Sequence, residues 1–233
     1  DEAVMRILKL KNELGLFENP YRGADEQAEA EVILSKEHRE IAKKIAQKSM
    51  VLLKNENILP FTPQEKIALV RPGAQSQDIL GAWSWQGKKE EAISLVAGAQ
   101  KLTTNLLVAQ EPFDYFEPTA AAIEEALTLA SQADKVVVAL GETDWMSGEA
   151  ASRSDIRLPE KQLAVVAQII EKNPNVVVTV YSGRPLDLQG IDVAKGIVQA
   201  WQPGTEGGNA LAEILWGEYN PSGRLSKIGR ASC

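Results

Sequence analysis

The sequence predicts an α/β fold, a three-layer sandwich with a mainly parallel β-sheet flanked by helices. Short β-branched and apolar runs recur at Ile67–Val70, Leu106–Ala109, Val136–Leu140, Val176–Tyr181 and Gly196–Trp201. Helical patterns near 90–100, 119–132 and 159–171, a short turn at 187–194 and a last helix at 206–216 lie between and after them. The runs are continuous rather than alternating, as in parallel strands buried on both faces.

Each element has a local reason. Residues 2–14 place Val4, Ile7, Leu8 and Leu14 at helical spacing, and Gly15 supplies a stop. Phe17–Gly23, with Asn19-Pro20 inside it, reads as loop or linker. The acidic run 25–31 is either linker or the approach to a helix. Ser35 is a good N-cap for a helix expected to carry Ile41, Ile45 and Met50 on one face. Val136-Val-Val138 and Val176-Val-Val-Thr-Val180 are the best central strands.

Composition narrows the function. The 233 residues suit one or two domains, and 44% hydrophobic with 24% charged residues is globular composition. A net charge of -7 gives no support for a nucleic-acid partner, which needs clustered Lys and Arg. No apolar run reaches the roughly 20 residues of a membrane helix. Cys233 is the only cysteine and His38 the only histidine, so a disulfide within the chain, a thiolate metal cluster and a His-based triad are all disfavoured. No cofactor is expected. The compartment reads as cytoplasmic, with a periplasmic or secreted parent as the alternative.

The chemistry concentrates after Leu140. The loop Gly141–Asp155 carries Glu142, Asp144, Glu149 and Asp155, with Arg153 among them. Loops at the carboxyl ends of parallel strands are where α/β sheets place ligand chemistry. This loop reads either as a solvated acidic loop with a local ion pair or as a carbohydrate site. In the second reading one carboxylic acid protonates a leaving oxygen while another carboxylate attacks or activates water. Trp145 is placed to stack on a sugar ring or to pack. Gly204-Thr-Glu-Gly-Gly208 lacks the spacing of phosphate and dinucleotide loops and reads as a tight strand-to-helix turn. Arg184, in Ser182-Gly-Arg-Pro185, anchors a loop or touches a ligand.

These residues resemble, in order, the conserved blocks of glycoside hydrolase family 3, of the β-glucosidase and β-xylosidase type. The blocks are Ser49–Glu56 with Ile58-Leu-Pro60, Asp78–Trp85, Gly148-Glu149 with Ser152–Asp155, Ser182–Leu186, Trp201 with Gly204–Ala210, and Gly217–Leu225. Each is weak alone; together they span residues 35–225.

The resemblance implies a parent in which a barrel domain supplies an aspartate nucleophile and most sugar contacts. An α/β sandwich domain then supplies the acid/base glutamate. On that basis residues 1–23 are the end of the barrel domain and the start of a linker, 24–225 the sandwich, and 226–233 a non-native or atypical tail. Glu149 is the implied general acid/base, and Trp145 and Arg153 are the implied substrate contacts. The implied partners are a β-glycoside substrate and the N-terminal barrel domain of the same parent. Asp144 imitates a nucleophile in Thr143-Asp144-Trp145, but its flanks match the acid/base loop. Arg71-Pro72-Gly73 departs from the Gly-Pro expected after the first sandwich strand.

The chain is therefore expected to be part of a retaining exo-acting hydrolase and nearly inactive by itself. The rivals are a phosphorylase or transglycosylase parent, a non-catalytic carbohydrate-binding or interdomain module, and, by fold analogy alone, a flavodoxin-like nucleotide binder. Without a barrel to close on, Thr143–Ser152 is expected to be disordered, displaced or held only by a neighbouring molecule, because its acidic groups repel and its substrate contacts are missing. Residues 2–23 are expected to be loose or to pack opportunistically.

Overall fold

Side chains leave a β-strand alternately to its two faces, and here each face carries its own helix layer. The computed structural model describes residues 1–70 and 72–226. One 6-stranded sheet runs in the order β1 (Val51–Asn55), β6 (Gly196–Trp201), β5 (Val176–Tyr181), β4 (Lys135–Gly141), β2 (Ile67–Val70), β3 (Leu106–Val108). The pairs β2–β3, β2–β4, β4–β5 and β5–β6 are parallel, and β1 is antiparallel to β6.

On one face Ile67, Leu69, Val137, Ala139, Val177 and Val198 share a core with residues of α3 (Lys36–Ser49), α4 (Leu95–Ala99) and α7 (Gly207–Leu215). On the other, Ala68, Val70, Val136, Val138, Val176 and Val178 share a core with α5 (Ala120–Gln132) and α6 (Glu160–Lys172). The predicted three-layer sandwich is the observed one.

Three local expectations change. Val51–Asn55 follows α3 after a single residue and was not expected as a strand. It forms the antiparallel edge, half-buried, with no glycine or proline to separate it from the helix. The expected helix over 90–100 is broken. A 3-10 turn at Lys89–Glu91 ends, and Ser94 caps a new helix, its Oγ accepting from the Ala97 amide at 3.2 Å. In α3, Ile41 and Ile45 are exposed, while Ala46 and Gln47, and Met50 just past the helix end, are buried. Ile45 and Met50 are five residues apart, about 140° around a helix, so they cannot share a face.

The chain divides into two compact units, Asp1–His38 and the remainder from Arg39. The first holds α1 (Glu2–Glu13) and α2 (Glu26–Val32). The acidic run is thus a helix, capped by Asp25, whose Oδ1 accepts from the Gln27 and Ala28 amides. Residues 2–13, expected to be loose, form a regular helix that buries none of its side chains. No helix among the described residues is long and apolar enough to cross a membrane. The proposed tail after Ser226, and Arg71, lie outside the described residues.

Candidate functional site

The carboxyl end of β4 leads directly into the acidic loop, and its first acid is its anchor. The Glu142 side chain is 0% exposed. Its Oε1 accepts from Arg153 Nη1 at 2.7 Å, and its Oε2 from Arg184 Nε at 3.3 Å. A buried carboxylate is costly unless paired, and two guanidiniums meet that need. Arg184 comes from the neighbouring strand end, after β5. Its carbonyl accepts from Ser182 Oγ at 2.7 Å, and Ser182 Oγ in turn accepts from Gln199 Nε2 of β6 at 2.9 Å. Arg184 Nη2 also donates to the carbonyls of Met146 and of Ala151, the latter at 2.8 Å.

A second tie holds the 3-10 turn Asp144–Met146. Lys89 Nζ lies 3.0 Å from Asp144 Oδ2 and 3.0 Å from Asp78 Oδ1. Partial burial pushes the Asp144 carboxyl up, but the bond to Lys89, its charge and the Trp145 amide outweigh this and leave it below its ordinary value. Nearby Tyr115 is pushed up to about 12, chiefly by burial.

The depressed Asp144 pKa means that its stabilising tie is complete above the unfolded-state pKa and is lost as pH falls through the folded one. In an NMR titration, the Trp145 indole resonance should therefore report a midpoint below the ordinary Asp value of 3.8. A midpoint at or above that value would show that Lys89 does not hold the turn.

Glu149 sits at the crest between these ties. It is exposed, and among the described residues no hydrogen bond or ion pair engages its carboxylate. The backbone turns sharply around it, with φ of 125° at Gly148 and 58° at Ala150. A Cβ on Gly148 would come 2.7 Å from the Ala82 Cβ, so the residue before Glu149 has to be glycine for space as well as for conformation. The same loop walls a depression of about 450 Å³, lined by Phe116, Trp145, Met146, Ala150, Ala151, Ser152 and Arg153. Trp145 is 66% exposed and leans on Phe116, ring centres 5.8 Å apart.

The expectation of a disordered loop is corrected. The acids do not repel one another freely, because each except Glu149 has a cation: Glu142 has Arg153 and Arg184, Asp144 has Lys89, and Asp155 has Arg157. The structure thus brings Trp145 and Arg153 to one depression, while Glu149 is exposed on the same loop, next in sequence to the lining residue Ala150 but not itself part of the lining. Arg153 is already committed there, to Glu142 and, through Nη2 at 3.3 Å, to the Arg157 carbonyl. Sequence reasoning missed Lys89, whose Lys-Lys-Glu-Glu run at 88–91 looks like solvated surface, and the role of Asp78 inside its motif.

His38 is exposed on α3. A Cβ on Gly208 would lie 2.0 Å from the Ser94 carbonyl oxygen, so that glycine serves close backbone packing, in line with a strand-to-helix turn. Among the described residues no group of three or more His, Cys, Asp or Glu side chains is placed to hold a metal.

Comparison with known proteins agrees with the fold. The model of the glycosyl hydrolase family 3 C-terminal domain matches residues 50–228. A periplasmic beta-glucosidase of Salmonella typhimurium is 35% identical, covering 97% of this chain and 33% of that protein. A lysosomal beta glucosidase of Dictyostelium discoideum is 33% identical over 97% of the chain and 29% of its own length. The crystal structure of a beta-glucosidase from Listeria innocua in complex with gluconolactone superimposes with a TM-score of 0.90 at 38% identity, covering 97% of this chain and 31% of that one. The chain spans about a third of the length of the relatives it matches.

Proposed function

The chain belongs to glycosyl hydrolase family 3, and from that premise we propose that it supplies one half of a split β-glycosidase active site, with Glu149 as general acid/base. The observation that carries the reading is the exposed, unpaired Glu149 on a tied loop whose neighbouring residues, from Ala150 to Arg153, line a depression with Trp145 and Phe116. A proton donor must reach the glycosidic oxygen of a substrate held largely by another domain. A carboxyl free of internal partners and raised on a sharp turn suits that task. Trp145 presents a ring face to a sugar, backed by Phe116. Arg153 borders the same depression, with its charge spent on Glu142.

The parent would be a retaining exo-acting enzyme on small β-glycosides such as β-glucosides. In the first step an aspartate of the barrel domain attacks the anomeric carbon while Glu149 protonates the departing oxygen. In the second, Glu149 takes a proton from water, which displaces the aspartate. The two carboxyls must stand about 5–5.5 Å apart, so the domains close on each other around the sugar. The name of the Salmonella relative favours the alternative of a periplasmic parent over a cytoplasmic one.

The test is reconstitution. The chain alone should show no hydrolysis of an aryl β-glucoside, and adding the parent's separately expressed barrel domain should restore it. Tight sugar binding by the chain alone, with no activity on mixing, would favour the carbohydrate-binding module instead.

A further inference from the structure

We infer that Arg184 is the positioning residue of the acid/base loop: one guanidinium staples the loop on both sides of Glu149. This rests on the acid/base reading of Glu149. The geometry is specific. Met146 and Ala151 lie three residues before and two residues after Glu149, and both their carbonyls accept from Arg184 Nη2. The same side chain fixes the loop's stem through Glu142, by way of Nε. Its own backbone is held at the end of β5 through Ser182 and Gln199. Position is thus passed from the rigid sheet to the loop crest by one planar group.

The crest needs this staple. Ala150 holds a left-handed φ of 58°, which a residue with a Cβ adopts at a cost. Such conformations persist only where the surroundings over-determine them. The Glu149 carboxylate adds no restraint of its own. Arginine suits the role because its donors fan out in one rigid plane, whereas a lysine ammonium is a single point on a flexible stem.

The experiment uses the full-length parent, with Arg184→Lys, Arg184→Ala and Glu149→Ala made side by side. The rate read is kcat/KM, on an alkyl β-glucoside, which needs a proton donor, and on a 2,4-dinitrophenyl β-glucoside, which does not. Arg184→Lys keeps a cation at Glu142 but cannot hold both carbonyls. It should lose roughly 100-fold on the alkyl substrate, the scale of an ångström of misplacement, and little on the activated one. Arg184→Ala should show the same selectivity, with a larger loss. A merely structural role would lower both substrates together.

Selectivity in Glu149→Ala with uniform loss, or none, in Arg184→Lys would overturn the inference and leave the acid/base reading intact. Uniform loss in Glu149→Ala itself would reject that reading and the staple with it. Failure of Arg184→Lys to unfold cooperatively would make Arg184 a folding residue and would also overturn the inference.

Discussion

Glu149→Ala in the full-length parent should cut kcat/KM for alkyl and disaccharide β-glucosides by roughly 100- to 10,000-fold, the usual contribution of a general acid. Activated aryl glucosides, whose leaving groups depart without a proton, should be far less affected in that first step. Their turnover should then stall at the glycosyl-enzyme, because no base activates water. Azide needs no base, so it should restore turnover and give a glycosyl azide of retained configuration. Two details make this outcome specific to Glu149. Its carboxylate is the one in the loop without a cationic partner, so its removal unties nothing. Glu142, the nearest rival, is enclosed by two guanidiniums and cannot approach a substrate. Equal loss on both substrate types without azide rescue would move the acid/base role off Glu149.

The parts of this site that were legible in the sequence are those that leave a local signature. β4 and β5 are uninterrupted β-branched runs, and burial on both faces writes that pattern directly. Glu149 was found because Gly148 precedes it in a recognisable block, and Gly148 is required by φ and by Ala82. What could not be read is pairing across the fold. Lys89 lies far from Asp144 along the chain, and Arg184 lies on a different strand end from Glu142. Without these partners, four acids in one loop look mutually repulsive, and disorder follows as the expectation. With them, three of the four become its fasteners. The edge strand Val51–Asn55 was hidden for a similar reason. Its register is set by β6, nearly 150 residues downstream, and not by any alternation of its own.

The fasteners are not equal, and the buried one should dominate stability. Glu142→Ala removes the carboxylate that separates two guanidiniums, leaving Arg153 and Arg184 with like charges and no buried anion between them. Breaking a buried pair by removing one partner costs about 3–5 kcal/mol. The two arginine side chains are 25% and 20% exposed, so water can take over part of the lost pairing, and the lower end of that range is the better expectation. At roughly 2–4 °C per kcal/mol for a domain of this size, the melting temperature should fall by about 10 °C. Asp144→Ala, which removes a half-exposed tie, should cost about 1 kcal/mol or less. Calorimetry on the two variants decides the order. Activity should follow a different rule. Glu142→Ala frees the stem of the loop, so in the parent it should also take on the leaving-group selectivity of a misplaced acid, without azide rescue to wild-type turnover, because the Glu149 carboxyl is still present on the loop. A Glu142→Ala protein as stable as the wild type would show that the arginines find other partners, and that the loop is held by its turns and not by its charges.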